Sequence, residues 1–299
     1  MLAGGGAGIR IFGSEVPEAE AAIAARVNVA VASGASPSEN ARKAVAALGG
    51  IKAFIGRGDV VVLKPNIGWD RTPEQAANTN PEVVVALAEM CLSAGAKQVR
   101  VFDRTCNEAR RCYVNSGIQS AVEAFGKKRG ASDILRVYHV EDRKFRRTTI
   151  PGAFALKEWD LYQDALEADK IVNVPIAKHH GLATATLGLK NMMGVMGGNR
   201  GQIHYNLSDC LADLHRRLPT SLTVIDATRV LLRNGPSGGN LADVQAQGKI
   251  FASADVVAAD VVAAERVFQW KVKDVAHIQK ALEAKIGVTS PAQIRVVEA

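Results

Sequence analysis

From residue 27 onward the chain alternates short β-branched runs with longer stretches of helical periodicity. Such a pattern buries its strands best in a largely parallel sheet, covered on both faces by the intervening helices. Residues 27–32 read as a strand, and Ser36-Pro37-Ser38-Glu39 then opens a helix as a capping box with proline at its first position. The apolar residues of that helix run through Ala44, Leu48 and Ile51. The run 59–64 (DVVVLK) is a buried strand, Asn80-Pro81 caps a helix over 82–94, and 98–103 (QVRVFD) is the next strand. Farther on, 134–140 reads as a strand, 144–150 as a hairpin arm and 161–168 as a helix. Further strands are expected at 170–174, 222–226 and 249–252, with Asp255 capping a helix that runs to Trp270. The expected fold class is α/β: a doubly wound, mainly parallel sheet with helices on both faces and room for two lobes around a cleft.

No fixed-period repeat or low-complexity linker divides the 299 residues. The expected organisation is a flexible leader or signal-peptide remnant over 1–25, one α/β domain over 26–270, and a helical tail over 271–299. The polar helix expected at 273–286 suits the surface or a contact between subunits of a homo-oligomer. With 47% hydrophobic and 22% charged residues the chain can build an ordinary core without a metal or disulfide. The formal charge is +7, but the basic residues are scattered and aromatics make up only 5%, so no nucleic-acid stripe forms. That excess charge favours a small anionic molecule as partner. No run of 18 apolar residues exists to make an integral membrane segment, and the protein is expected to be soluble.

In open α/β sheets ligands bind beyond the carboxyl ends of the strands, where loops and helix N-termini converge. Four expected strand ends carry unusual residues: Lys64-Pro65-Asn66, Asp103-Arg104-Thr105-Cys106, Pro175 followed by Lys178-His179-His180-Gly181, and Asp226 followed by Asn234-Gly235-Pro236. Each has a structural explanation of its own. Lys64 can end a strand in solvent, Asp103 and Asp226 can cap turns, and paired histidines often satisfy a local carbonyl. Their placement at one edge of one sheet favours a shared site. Beyond His180 the chain continues to Lys190-Asn191-Met192-Met193-Gly194, a glycine loop Gly197-Gly198-Asn199-Arg200-Gly201, and His204. This loop matches neither the phosphate-loop pattern nor the dinucleotide fingerprint, and Met192, Met193 and Met196 read as core.

Cys106 and Cys112 fall in the loop after Asp103 and form no C-x-x-C pair with any cysteine. In an oxidising compartment they suit a local disulfide, in a reducing one free thiols or ligands of a transition metal or iron–sulfur cluster. Cys91 reads as core, and Cys210 as core or a distant ligand.

The motifs Lys64-Pro65-Asn66, Thr79-Asn80-Pro81-Glu82-Val83-Val84, Asn173-Val174-Pro175-Ile176-Ala177-Lys178-His179-His180-Gly181, Gly188-Leu189-Lys190-Asn191-Met192-Met193-Gly194 and Asn234-Gly235-Pro236-Ser237-Gly238-Gly239 occur in that order. In this they resemble the DUF362 family, a family of unknown function. The resemblance implies an iron–sulfur cluster for many members and twin-arginine export to the periplasm for one branch. The glycine-rich start, Met1-Leu2-Ala3-Gly4-Gly5-Gly6-Ala7-Gly8, is similar to what trimming an export signal would leave. This chain lacks the cysteine-rich ferredoxin insert of the iron–sulfur members.

The order His180, Lys190, glycine loop, His204 is also similar to the N-terminal domain of nickel-pincer lactate racemases. That likeness implies His180 as a proton-transfer residue, Lys190 as electrophile or cofactor anchor, and His204 as a metal ligand, with Asp103-Arg104 where those enzymes carry another catalytic histidine.

Two functions follow as expectations. The first is a metal- or cofactor-dependent enzyme acting on a small anion, with His180, Lys190 and Asp103 catalytic. Lys64, Asn66, Arg104, Lys178, Arg200, Asp226 and Asn234 then bind the ligand, and His204 a metal. The second is a non-catalytic iron–sulfur or metal-binding redox protein built on Cys106 and Cys112.

Overall fold

A computed structural model describes residues 27–299, and the glycine-rich start lies outside the described residues. In chain order, β1 (Val27–Ser33) leads to α1 (Pro37–Ala47), β2 (Val60–Pro65) to α2 (Pro81–Ser93), and β3 (Gln98–Val101) to α3 (Ala109–Asn115) and α4 (Ile118–Arg129). β4 (Leu135–Val137) follows, then the hairpin β5 (Phe145–Thr149) and β6 (Glu158–Tyr162), the short α5 (Gln163–Leu166) and β7 (Lys170–Val174). β8 (Ile176–His180), β9 (Thr184–Thr186), α6 (Gly188–Asn191) and α7 (Leu207–Arg217) precede β10 (Leu222–Leu231) and β11 (Val244–Ser253). The chain closes with α8 (Val256–Phe268), α9 (Ala276–Glu283) and β12 (Ile294–Glu298).

The main sheet runs β12-β1-β11-β10-β7-β2-β3-β4, with β8 beside β10 and β9 beside β8. Along the main path β11 alone opposes its neighbours, because it returns from β10 through a single loop. The sheet is therefore mostly parallel, as the alternating pattern predicts.

Period-two alternation buries both faces. Val61 and Leu63 pack with α1, α2 and α4, while Val62 between them packs with Tyr162 and α7. Ala30 and Ala32 face the first of these cores, and Val29 and Val31 face α8 and α9. Each fully buried valine or leucine among these contributes about 1.5–3 kcal/mol.

The expected caps form: the Ser36 hydroxyl accepts from Glu39 N–H, the Asn80 side chain from Glu82 N–H, and Asp255 from Val257 and Ala258 N–H. Two expectations are revised. The helix anticipated from Leu161 starts later, because Leu161 and Tyr162 pair with Arg146 and Phe145 in the β5–β6 hairpin. The segment after 270 does more than lie on the surface: α9 buries His277, Ile278, Ala281 and Leu282, and β12 adds a parallel edge strand to β1. Among the described residues no helix is long and apolar enough to cross a membrane.

Pro175 sets the stage for the site. Without an N–H it cannot extend the ladder, yet its carbonyl accepts from Asp226 N–H at 2.8 Å, so the strand breaks between β7 and β8. β8 pairs with β10 and β9 beyond that break and carries Lys178 and His180 over the carboxyl ends of β2 and β7.

Candidate functional site: a cationic cleft at the carboxyl edge of the sheet

A cavity of about 360 Å³ opens above the ends of β2, β3, β7 and β8. Asn66, Asp103, Arg104, Cys106, Lys178, His180, Lys190, Arg200 and His204 all line it, joined by Trp69, Thr186, Asn191, Met193 and Pro236. Most of the residues expected to share a site thus do. The others lie behind or beside it.

Lys64 is completely buried beneath the floor, its Nζ 2.8 Å from Asp103 Oδ1, while Asp103 Oδ2 accepts from Ile67 N–H at 2.7 Å. Burial lowers the Lys64 pKa, and the Asp103 carboxylate beside it opposes that shift. Gly194 makes the arrangement feasible, because a Cβ there would collide with both Asp103 and the end of Lys64.

Asp226 is also fully buried and does not reach the cleft. It accepts from Asn80 N–H and from the backbone and hydroxyl of Thr228, holding α2 against β10. Asn234 stands at φ +55° and donates to Asp243; it shapes the turn that presents Gly235 and Pro236 to the cleft rather than lining it.

An amide network fixes the base of the site. Asn191 donates to Lys64 O and Asn173 Oδ1, Asn66 donates to Asn191 Oδ1, and Asn173 donates to Gly188 O. Lys178 donates to Asn66 Oδ1 at 3.2 Å and to Ala77 O. Sequence reasoning missed Asn173, although a polar residue inside the apolar run KIVNV is a readable signal. It also missed Asp260, set within the apolar helix VVAADVVAA. Asp260 accepts from Gly188 and Leu189 N–H at 2.7 and 2.8 Å and so anchors the helix that carries Lys190, while burial pushes its pKa up to about 7.

Cations dominate the lining. Arg104 donates to the Met196 and Gly198 carbonyls, and Arg200 to those of Met193 and Thr105 and to the Cys106 sulfur. Burial, then the nearby Arg200, lowers the Arg104 pKa. Burial pushes Lys178 down to about 7 and Lys190 down to about 8. Among the described lining residues Asp103 is the only carboxylate, and Lys64 already pairs with it.

The two histidines stack with ring centroids 5.6 Å apart, and their hydrogen bonds assign opposite tautomers. His180 Nδ1 accepts from both Leu182 and Ala183 N–H at 3.2 Å, so the neutral ring carries its proton on Nε2. Burial first, and Lys190 next, lower its pKa to about 3. In this tautomer His180 offers a hydrogen-bond donor, Nε2–H, and no free ring acceptor. His204 Nδ1 lies 2.9 Å from the Gly201 carbonyl and must donate to it, leaving a lone pair on Nε2, which is buried and has no hydrogen-bond partner among the described residues.

Among the described residues the donors present do not compose a three-ligand metal centre. Among the described residues no three His, Cys, Asp or Glu side chains converge. His180 Nδ1 is occupied, and the remaining donors face lysines and arginines. Cys112 is sealed in the core with its sulfur 3.8 Å from the Gly68 carbonyl, and burial raises its thiol to about 11. Cys106 is exposed at the rim, and all four cysteines are free thiols.

Fold and site together define an α/β protein with a cation-lined cleft over the carboxyl edge of its sheet. The chain belongs to the DUF362 family, a domain of unknown function whose model matches residues 61–265. A thylakoid-associated protein of Synechocystis is 30% identical over 223 residues, a match spanning 72% of this chain and 65% of that relative's length. The lactate racemase apoprotein of Thermoanaerobacterium thermosaccharolyticum superposes with a TM-score of 0.44 at 10% identity, over 78% of this chain and 55% of its own.

Proposed function

We propose that the protein is an enzyme that holds a small anionic substrate in this cleft and moves a proton on it. One observation carries the reading: Arg104, Arg200, Lys178 and Lys190 surround a cavity whose single carboxylate among the described residues is already paired. Positive charge gathered without counterions is costly, and an anion entering the cleft relieves it. The arginines are oriented by backbone carbonyls, so their remaining N–H groups are set in advance for a carboxylate or phosphate. His180 Nε2–H is placed to donate to a substrate oxygen on which charge builds, and the His204 Nε2 lone pair to accept the proton released. The lining residues Trp69, Leu182, Met193 and Pro236 give the ligand's remainder an apolar wall.

Calorimetric titration with a panel of small carboxylates and phosphates tests the binding half, and exchange of ligand C–H for solvent deuterium, followed by NMR, tests the proton transfer. At least one anion should bind, and exchange should be lost in His204→Gln. A panel with no binder, or exchange that persists in His204→Gln, overturns the reading.

A further inference from the structure

Lys190 differs from the other cations of the cleft. Lys64 is matched by Asp103, Lys178 by Asn66 and a carbonyl, and both arginines by carbonyls. Among the described residues Lys190 Nζ has no hydrogen-bond or ion-pair partner, although the residue is only 8% exposed and lines the cavity. Its helix is held by Asp260 and by His215, whose Nε2 lies 3.1 Å from the Leu189 carbonyl. An amine so rigidly mounted, unbonded and opening on the cavity, with burial lowering its pKa to about 8, is available as a nucleophile once it gives up its proton.

Resting on the anion-binding reading above, we propose that the substrates are 2-oxo carboxylates and that Lys190 Nζ condenses with their carbonyl carbon to form an imine. Arg104 and Arg200 take the carboxylate, and His180 Nε2–H donates to the ketone oxygen. The Nζ lone pair forms the C–N bond and the carbonyl π pair moves onto oxygen. His204 Nε2 accepts a proton from nitrogen and passes it to that oxygen, making a hydroxyl, and then relays the second amine proton to the departing hydroxyl in the same way. The C–O bond then breaks, and both amine protons leave with that oxygen as water, so no oxidant or reductant is needed. A 2-hydroxy carboxylate fits the same cations but offers no carbonyl to attack.

The test treats the full chain with 2-oxobutyrate and sodium cyanoborohydride, followed by intact-mass measurement and peptide mapping, beside calorimetric titration with 2-oxobutyrate and 2-hydroxybutyrate. The expected result is one adduct, of the oxo acid's mass less one oxygen atom, on Lys190. It should be absent with 2-hydroxybutyrate and absent in Lys190→Met. Lys190→Arg, which keeps the charge, should still bind 2-oxobutyrate without forming the adduct. Binding of 2-oxobutyrate to the unaltered protein with no adduct on Lys190 overturns the imine and leaves the anion reading standing. Failure of both acids to bind overturns the two together.

Discussion

Arg200 touches Met193 O, Thr105 O and the Cys106 sulfur and supports no core side chain, so its guanidinium can be removed without unfolding the protein. Arg200→Ala should weaken binding of a small carboxylate by about 1.5–3 kcal/mol, the scale of a charge-assisted hydrogen bond, with an unchanged melting temperature. Paired titrations and thermal melts check this. Asp103 behaves oppositely, because it neutralises a fully buried ammonium. Asp103→Asn should cost about 3–5 kcal/mol in denaturant unfolding, and adding Lys64→Met should recover much of the loss by removing the stranded charge. Binding should also depend on pH. Lys178 and Lys190 hold their protons below about 7 and about 8, so anion affinity should fall as pH rises through that range. Imine trapping should rise over the same range, since it needs the neutral amine. Affinity that is flat between pH 6 and about 9 would contradict the role given to these lysines.

The four-residue helix α6 is too short to stand alone, and its position depends on contacts from α8 and α7. Asp260 supplies both oxygens to its first two N–H groups, and Asp260→Asn replaces one acceptor with a donor facing an N–H. A loss of about 1–3 kcal/mol is expected from the unsatisfied groups, together with weaker anion binding because Lys190 shifts. Gly188 is equally constrained: a Cβ there would lie 2.8 Å from Asp260 Oδ1 and from a Val256 methyl. Full anion affinity in a folded Asp260→Asn protein would show that α6 needs no such anchor. The strands, caps and most helices were legible as sequence because their signals are local: β-branched runs, Ser-Pro or Asn-Pro starts, an aspartate before an apolar helix. The start of α5 was not, since Leu161 and Tyr162 suit either a helix or a strand, and pairing with β5 decided between them.

Across the whole molecule, three histidines are buried neutral, with pKa values lowered by burial to about 3 for His180 and His277 and about 4 for His215. An unfolded histidine takes up its proton near 6.5, so between that value and the folded pKa values the unfolded chain binds more protons. Their contribution is present above pH 6.5 and is lost as pH falls from there toward about 3. Melting temperature should therefore drop on acidification across that window, and His277→Gln should flatten the drop. The sequence by itself determined the α/β class, the parallel sheet and the set of strand-end residues, because period-two and helical patterns and capping residues are written in neighbouring positions. It also brought together most of the cleft, since residues at the carboxyl ends of parallel strands must share an edge. Only the tertiary structure decided that Asp226 and Cys112 are sealed in the interior and that the segment after residue 270 closes the sheet with β12. It likewise decided that His180 and His204 take opposite tautomers. Those outcomes depend on which backbone N–H or carbonyl, distant from or folded back upon the side chain, meets each polar atom, and no periodicity in the chain records that meeting.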